Sequence, residues 1–124
     1  MPIPDFQSLM LPVLKAYAKS DEPWVMPEPS LGDVRHAVAR SVNLTDDDLR
    51  EMLPSGRQAV FTNRVSWAIT HMERAGLLKR VRRGVYRVTH DGKGLLARNL
   101  SHIDMDMLKE YPAYATWRES AKEV

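Results

Sequence analysis

The sequence predicts a mainly α fold, a winged helix-turn-helix with a small β-hairpin wing and additional C-terminal helices. Two patterns indicate it: apolar residues recur at helical spacing from about Arg57 to Ala75, and a short hairpin pattern follows at once. The third indication is charge. Between Pro54 and Arg98, ten Lys and Arg residues stand against only Glu73 and Asp91, a local charge of +8 in a chain whose net charge is +2. The other segments therefore sum to −6, and the near-neutral total hides a polarised molecule. Such asymmetry implies a polyanionic partner. A helix running into a basic hairpin is how a winged helix-turn-helix meets double-stranded DNA.

Composition bounds the rest. With 124 residues and 44% apolar side chains, the chain is expected to form one domain over 1–124, its core at 5–89 and a C-terminal helical extension at 90–122. It has no cysteine, which removes thiol catalysis and cysteine-ligated zinc. The opening residues lack a basic region followed by an apolar one, and no apolar run approaches the roughly 20 residues needed to span a bilayer. The expectation is a cytoplasmic protein with no membrane partner.

Along the chain, Pro4 and Asp5 resemble a helix start, with Phe6, Leu9, Met10, Val13, Leu14 and Tyr17 on one face up to about Lys19. Pro12 should kink this helix or leave one bond unmade. A proline-punctuated connection from Ser20 to Pro29 includes Trp24, Val25 and Met26, which could pair as a short strand with the later hairpin. Ser30 caps a second helix bearing Leu31, Val34, Ala37, Val38 and Val42. Thr45 with Asp46, Asp47 and Asp48 marks a short third helix, the carboxylates being favourable partners of its dipole. Ser55 and Gly56 make a turn, and the long helix from about Arg57 to Ala75 is closed by Gly76. Strands at Leu77–Val81 and Val85–Thr89 flank a turn at Arg82, Arg83 and Gly84. In the second strand Tyr86 and Val88 should pack inward, with Arg87 and Val85 facing outward. Leu95, Leu96 and Ala97 belong to a short helix. Met105, Leu108, Tyr111, Tyr114 and Trp117 recur at roughly helical spacing broken at Pro112, so this tail should pack on the domain or on another copy of the chain as a homodimer.

The candidate DNA-binding residues follow from that layout. On the long helix, 100° per residue sets Phe61, Val65, Ala68, Met72 and Ala75 toward the core, with Ile69 at the edge. Asn63, Ser66, Trp67, Thr70 and Arg74 lie opposite, in a strip suited to a groove. Asn63 and Arg64 carry side chains capable of bidentate contacts with adenine and guanine, and either could instead hold a neighbouring loop. Ser55, Gly56, Arg57 and Gln58 fall at the expected helix start, where amides and dipole favour a phosphate, although plain capping explains them as well. In the hairpin, Lys79, Arg80, Arg82, Arg83 and Arg87 concentrate five cations in nine residues without an interleaved acid, the density that phosphate binding requires. Trp67, at the strip's margin, either packs against the first helix or contacts a base.

Several segments together resemble a known family. They are Met1 to Leu14, Leu53 to Gln58, the run containing Phe61, Asn63, Arg64, Val65, Trp67 and Ala68, then Ala75 to Leu78 and Arg83 to Thr89, with the tail around Ile103 and Leu108. They are similar to the N-terminal domain of Mrr-type restriction endonucleases, along nearly the whole chain. The resemblance implies a winged-helix module that precedes a separate nuclease domain and helps to restrict modified, often methylated, foreign DNA. On that likeness the chain ends where the nuclease domain is expected to begin, so the chain itself should not be an enzyme and should meet a nuclease domain in cis or in trans.

Other function classes find less support. Asp91, Gly92 and Lys93 match the acid-x-lysine tripeptide of restriction nucleases, but Thr89 and Gly92 suggest strand exit and helix entry there rather than mid-strand. His36, His71, His90 and His102 lack the spacing of a helix-borne metal pair, so no metal or cofactor is expected. A small transcriptional regulator using the same surface, or a winged helix that pairs with a restriction-system protein through its apolar tail, remain the alternatives.

Overall fold

Most helices begin where the sequence supplies a side-chain oxygen to an otherwise unpaired backbone amide. The computed structural model describes residues 3–20 and 29–122; the strand expected around Trp24 to Met26 lies outside them. Helix α1 (Phe6–Ser20) starts after Asp5, whose carboxylate accepts from the Ser8 amide at 2.7 Å, and runs on through Pro12. Helices α2 (Leu31–Ser41) and α3 (Asp46–Arg50) open with capping boxes. Ser30 and Asp33 bond reciprocally in the first, Thr45 and Asp48 in the second. The caps hold Asp33 and Asp48 below the usual carboxylate range. The aspartates after Thr45 thus serve the helix end, and Asp47 pairs with Arg50.

The long helix is shorter than its pattern suggests. Helix α4 spans Val60–Arg74, not Arg57 to Ala75. Gln58 and Ala59 are drawn instead into an extended pairing with the end of the preceding segment: Ala59 bridges Met52, and the Leu53 amide donates to the Gln58 carbonyl at 2.9 Å. At its other end α4 closes as expected. Gly76 takes φ +82, its amide donates to the Glu73 carbonyl and the Leu77 amide to the Met72 carbonyl, the paired bonds of a Schellman motif.

That exit directs the chain into β1 (Leu78–Arg82) and β2 (Val85–Val88), an antiparallel hairpin turned at Arg83 and Gly84. Leu78 pairs Val88, Lys79 pairs Arg87 and Arg80 pairs Tyr86, after which the register slips so that Arg82 meets Val85. The bulge at Val81 changes the expected alternation. Val85 is covered rather than outward-facing, whereas Val81 is 45% exposed. Tyr86 does turn inward, its ring edge-on to Tyr17 at 5.9 Å.

The core lies where α1 crosses α4. Leu9, Met10, Val13 and Leu14 of α1 and Val65, Ala68 and Met72 of α4 are all fully buried, and Val34, Val38, Leu77 and Leu78 close around them. The order of helices, with a two-stranded wing after α4, makes this a winged helix-turn-helix. Helices α5 (His90–Leu96), α6 (Met105–Leu108) and α7 (Pro112–Lys122) complete it, and Ile103, Leu108 and Tyr114 are buried against the rest. The apolar tail is therefore part of the packed structure.

Thr89 locks the wing to α5. Its hydroxyl donates to the Gly76 carbonyl and accepts from the Gly92 amide, while its own amide donates to the Leu77 carbonyl. The approach is so close that a Cβ on Gly92 would fall 2.4 Å from the Leu77 carbonyl oxygen and 2.7 Å from a Val88 methyl. Gly94, in the same helix, faces open space. Gly92→Ala is therefore expected to destabilise the fold by about 1–3 kcal/mol through overpacking. Gly94→Ala should be neutral or stabilising by up to about 1 kcal/mol, from helix propensity. Urea unfolding of both variants checks the pair, and equal effects would contradict the packing argument.

Candidate nucleic-acid interface

The hairpin carries its cations outward because its inner face is committed to the core. Leu78 and Val88 are buried, and Lys79, Arg80, Arg82, Arg83 and Arg87 are all exposed. Lys79 and Arg87 are direct cross-strand partners. Like charges opposed in this way repel, and a polyanion lying across them would relieve that cost.

Before α4, the residues expected to open the helix form a loop of their own. Gly56 takes φ +70 and its amide donates to the Leu53 carbonyl at 2.8 Å; the Arg57 amide donates to the Ser55 hydroxyl at 3.3 Å. Those two amides are therefore bonded within the loop, and the expectation that Ser55, Gly56, Arg57 and Gln58 stand at the helix start is corrected: they precede it. Ser55, Gly56 and Arg57 are exposed all the same. Gln58 gains a different role, its side-chain carbonyl accepting from the Asn63 amide at 3.2 Å. That bond leaves an acceptor on Asn63 and a donor on Gln58, the complement of an adenine edge in the major groove.

The rest of the polar strip divides. Ser66 and Thr70 are half-buried, and the Thr70 hydroxyl donates back to the Ser66 carbonyl at 3.0 Å. Arg64 turns toward the N-terminus, where its guanidinium donates to the carbonyls of Ile3 and Pro4. This geometry ties α4 to the segment before α1 and does not present Arg64 to a base. Arg74 lies with its guanidinium 5.5 Å from the centre of the Trp117 ring, against α7. Trp67 is 49% exposed, between packing and open presentation.

A cluster not anticipated from the sequence joins α1, α4 and α7. The His71 ring, only 4% exposed, lies 4.7 Å from Phe6, 5.1 Å from Trp117, 5.8 Å from Tyr114 and 6.1 Å from Trp67, measured between ring centres. Its Nδ1 shares a 2.8 Å hydrogen bond with the Tyr114 hydroxyl. The signal was present: His71 is four residues past Trp67, on one helix flank, and Tyr111, Tyr114 and Trp117 recur every third residue. What the pattern lacked was the partner of that aromatic row. The acid-x-lysine tripeptide falls in the first turn of α5, where Asp91 and Lys93 are exposed. Among the described residues no group of three or more His, Asp or Glu could hold a metal ion.

The family model of the Mrr N-terminal domain matches residues 6–98. The chain belongs to that family. It is 32% identical over 92 residues to the type IV methyl-directed restriction enzyme EcoKMrr of Escherichia coli K12, an alignment covering 74% of this chain and 28% of that enzyme. The chain thus corresponds to little more than a quarter of its relative's length. No solved structure matches it. Among the described residues no helix is long and apolar enough to cross a membrane. In this Mrr N-terminal domain the matched region takes in the wing and α4, whereas α6 and α7 lie beyond it.

The aromatic cluster makes a pH prediction. Burial disfavours the charged form of His71 and the nearby Arg118 guanidinium adds to this, so its pKa lies below the ordinary 6.5. The unfolded chain then takes up the proton more readily than the folded one. His71 therefore contributes full stability above about pH 6.5, and that contribution is lost as pH falls from there through the folded value. Thermal melts across this range should show the midpoint dropping below about pH 6.5 in the wild type, and dropping less in His71→Gln, which cannot titrate there. Asp33, Asp48 and Asp104, held below 3.8, lose their contribution only at lower pH. A wild-type midpoint flat across the histidine window would contradict the account.

Proposed function

We propose that this Mrr N-terminal domain binds duplex DNA and serves as the targeting module of a modification-dependent restriction system. One observation carries the reading: five exposed cations crowd a hairpin in which Lys79 directly opposes Arg87. In the proposed arrangement the wing grips phosphates. The start of α4 enters the major groove, where Asn63 and its partner Gln58 read base edges. Arg57 and Ser55 flank that contact. The family supports the reading, since the relative named above is a methyl-directed enzyme.

The wing's five cations and Arg57 are all exposed and are the main candidates for phosphates, whereas Arg64 bonds backbone carbonyls and Arg98 faces Glu110 at 3.5 Å. At about −0.9 per neutralised phosphate, the log–log dependence of affinity on salt should have a slope between about −3 and −5. Replacing Arg82 and Arg83 together by alanine should flatten it by roughly 2 units and weaken all sequences alike. Asn63→Ala should instead mainly erode discrimination between sites, by about 1–3 kcal/mol. Titrations of labelled duplexes at several salt concentrations check all three. Undetectable binding at low salt would reject the DNA reading in favour of a protein partner.

Cleavage is assigned to a nuclease domain acting with this one in cis or in trans. Asp91 and Lys93, on a helix turn, do not form a set able to fix a divalent ion, orient water and stabilise a leaving oxygen together. Methylated supercoiled plasmid incubated with the 124-residue chain and magnesium should stay intact. Nicking that disappears in both Asp91→Ala and Lys93→Ala would overturn the assignment.

A further inference from the structure

Beside the polar strip of α4 is an open cleft of about 350 Å³, lined by Phe6 of α1, Trp67 and His71 of α4, Met105 of α6 and Arg118 of α7. Four separate helices therefore converge on it. Its floor is the buried His71 ring, held by Tyr114 and packed on Phe6. Met105 is held at the rim, its amide donating to the Gln7 side chain at 2.9 Å. Trp67 forms a wall with about half its surface exposed, one helical turn beyond Asn63. An indole left this open, above an apolar floor and beside an arginine, suits a flat ring carried on an anionic chain. Burial keeps His71 neutral near pH 7, so the floor offers a ring and not a second cation.

We propose that the cleft takes one unpaired nucleobase of the bound DNA, stacked on Trp67 over the His71 floor, with Arg118 at the adjoining phosphate. The proposal rests on the DNA-binding reading above and extends it. Magnitudes decide what kind of DNA is meant. Stacking a base on one aromatic side chain strengthens binding by roughly tenfold, whereas extruding a base from an intact pair costs at least as much. A single-walled cleft therefore does not open sound duplex. It favours DNA in which a base is already unpaired, as at a bulge or a mismatch.

The test compares a short, fully paired duplex with the same duplex carrying one extrahelical 2-aminopurine, each titrated with the whole chain. Expected is roughly tenfold tighter binding of the bulged duplex with a change in 2-aminopurine fluorescence. In Trp67→Ala the ratio of bulged-duplex to paired-duplex affinity should fall to about one; Trp67→Phe, which retains a stacking ring, should keep most of the preference. Thermal melts of both variants establish that they fold. Equal wild-type affinity for the two duplexes, or a preference that survives Trp67→Ala, overturns the cleft and leaves the DNA reading standing. Failure to bind either duplex overturns both.

Discussion

The packing of α1 on α4 is the constraint from which the rest follows. Leu9, Met10, Val13 and Leu14 bury completely against Val65, Ala68 and Met72, and a fully buried side chain of this size is worth about 1.5–3 kcal/mol. Once that seam is fixed, the rotation of α4 is fixed too. Asn63, Ser66 and Thr70 must then face away from the core, while Trp67, His71 and Arg74 fall on the flank that α7 meets. The wing is fixed by the same seam, because Leu77 and Leu78, at the exit of α4, are themselves core residues.

How legible this was in the sequence depended on the range of the interaction. Caps were legible because donor and acceptor are three residues apart: Ser30 and Thr45 both cap as read, and Gly76 ends α4 in the left-handed conformation that favours glycine. The core face of α4 was legible from its period. Its start was not. Nothing local distinguishes Arg57 from a first helical residue, and the pairing of Met52 with Ala59 that holds Gln58 out of the helix depends on how the preceding segment folds back. The outward placement of Val85 failed for a related reason: period-2 alternation assumes an unbroken ladder, and the bulge at Val81 interrupts it.

The candidate site shows the same division. Exposed wing cations were legible from density alone, because five cations in nine residues cannot all be buried. Arg64 and Arg74 were not, since their partners lie far off in sequence. The carbonyls of Ile3 and Pro4 stand some sixty residues before Arg64, and Trp117 belongs to the last helix. Charge counting treats every arginine as equivalent. A guanidinium satisfied by backbone carbonyls has already spent much of its binding capacity on the fold, whereas one lying on an aromatic face keeps its in-plane donors.

This redistribution of arginines bears on how the proposed binding at α4 would connect with α7. Helix α7 is anchored on α4 by Tyr114 on His71 and by Trp117, whose ring lies 5.5 Å from the Arg74 guanidinium and 5.6 Å from that of Arg118. Both contacts fall on the flank adjoining the strip assigned to DNA. A phosphate drawing Arg74 or Arg118 away would weaken a cation–π contact worth about 0.5–2 kcal/mol, which is comparable with the differential affinities that shift conformational equilibria. Under the proposed DNA binding, α7 would be coupled to that surface by side chains common to both. Whatever follows it in a longer chain would be linked to the proposed recognition helix through Trp117 and His71 as well as through the backbone.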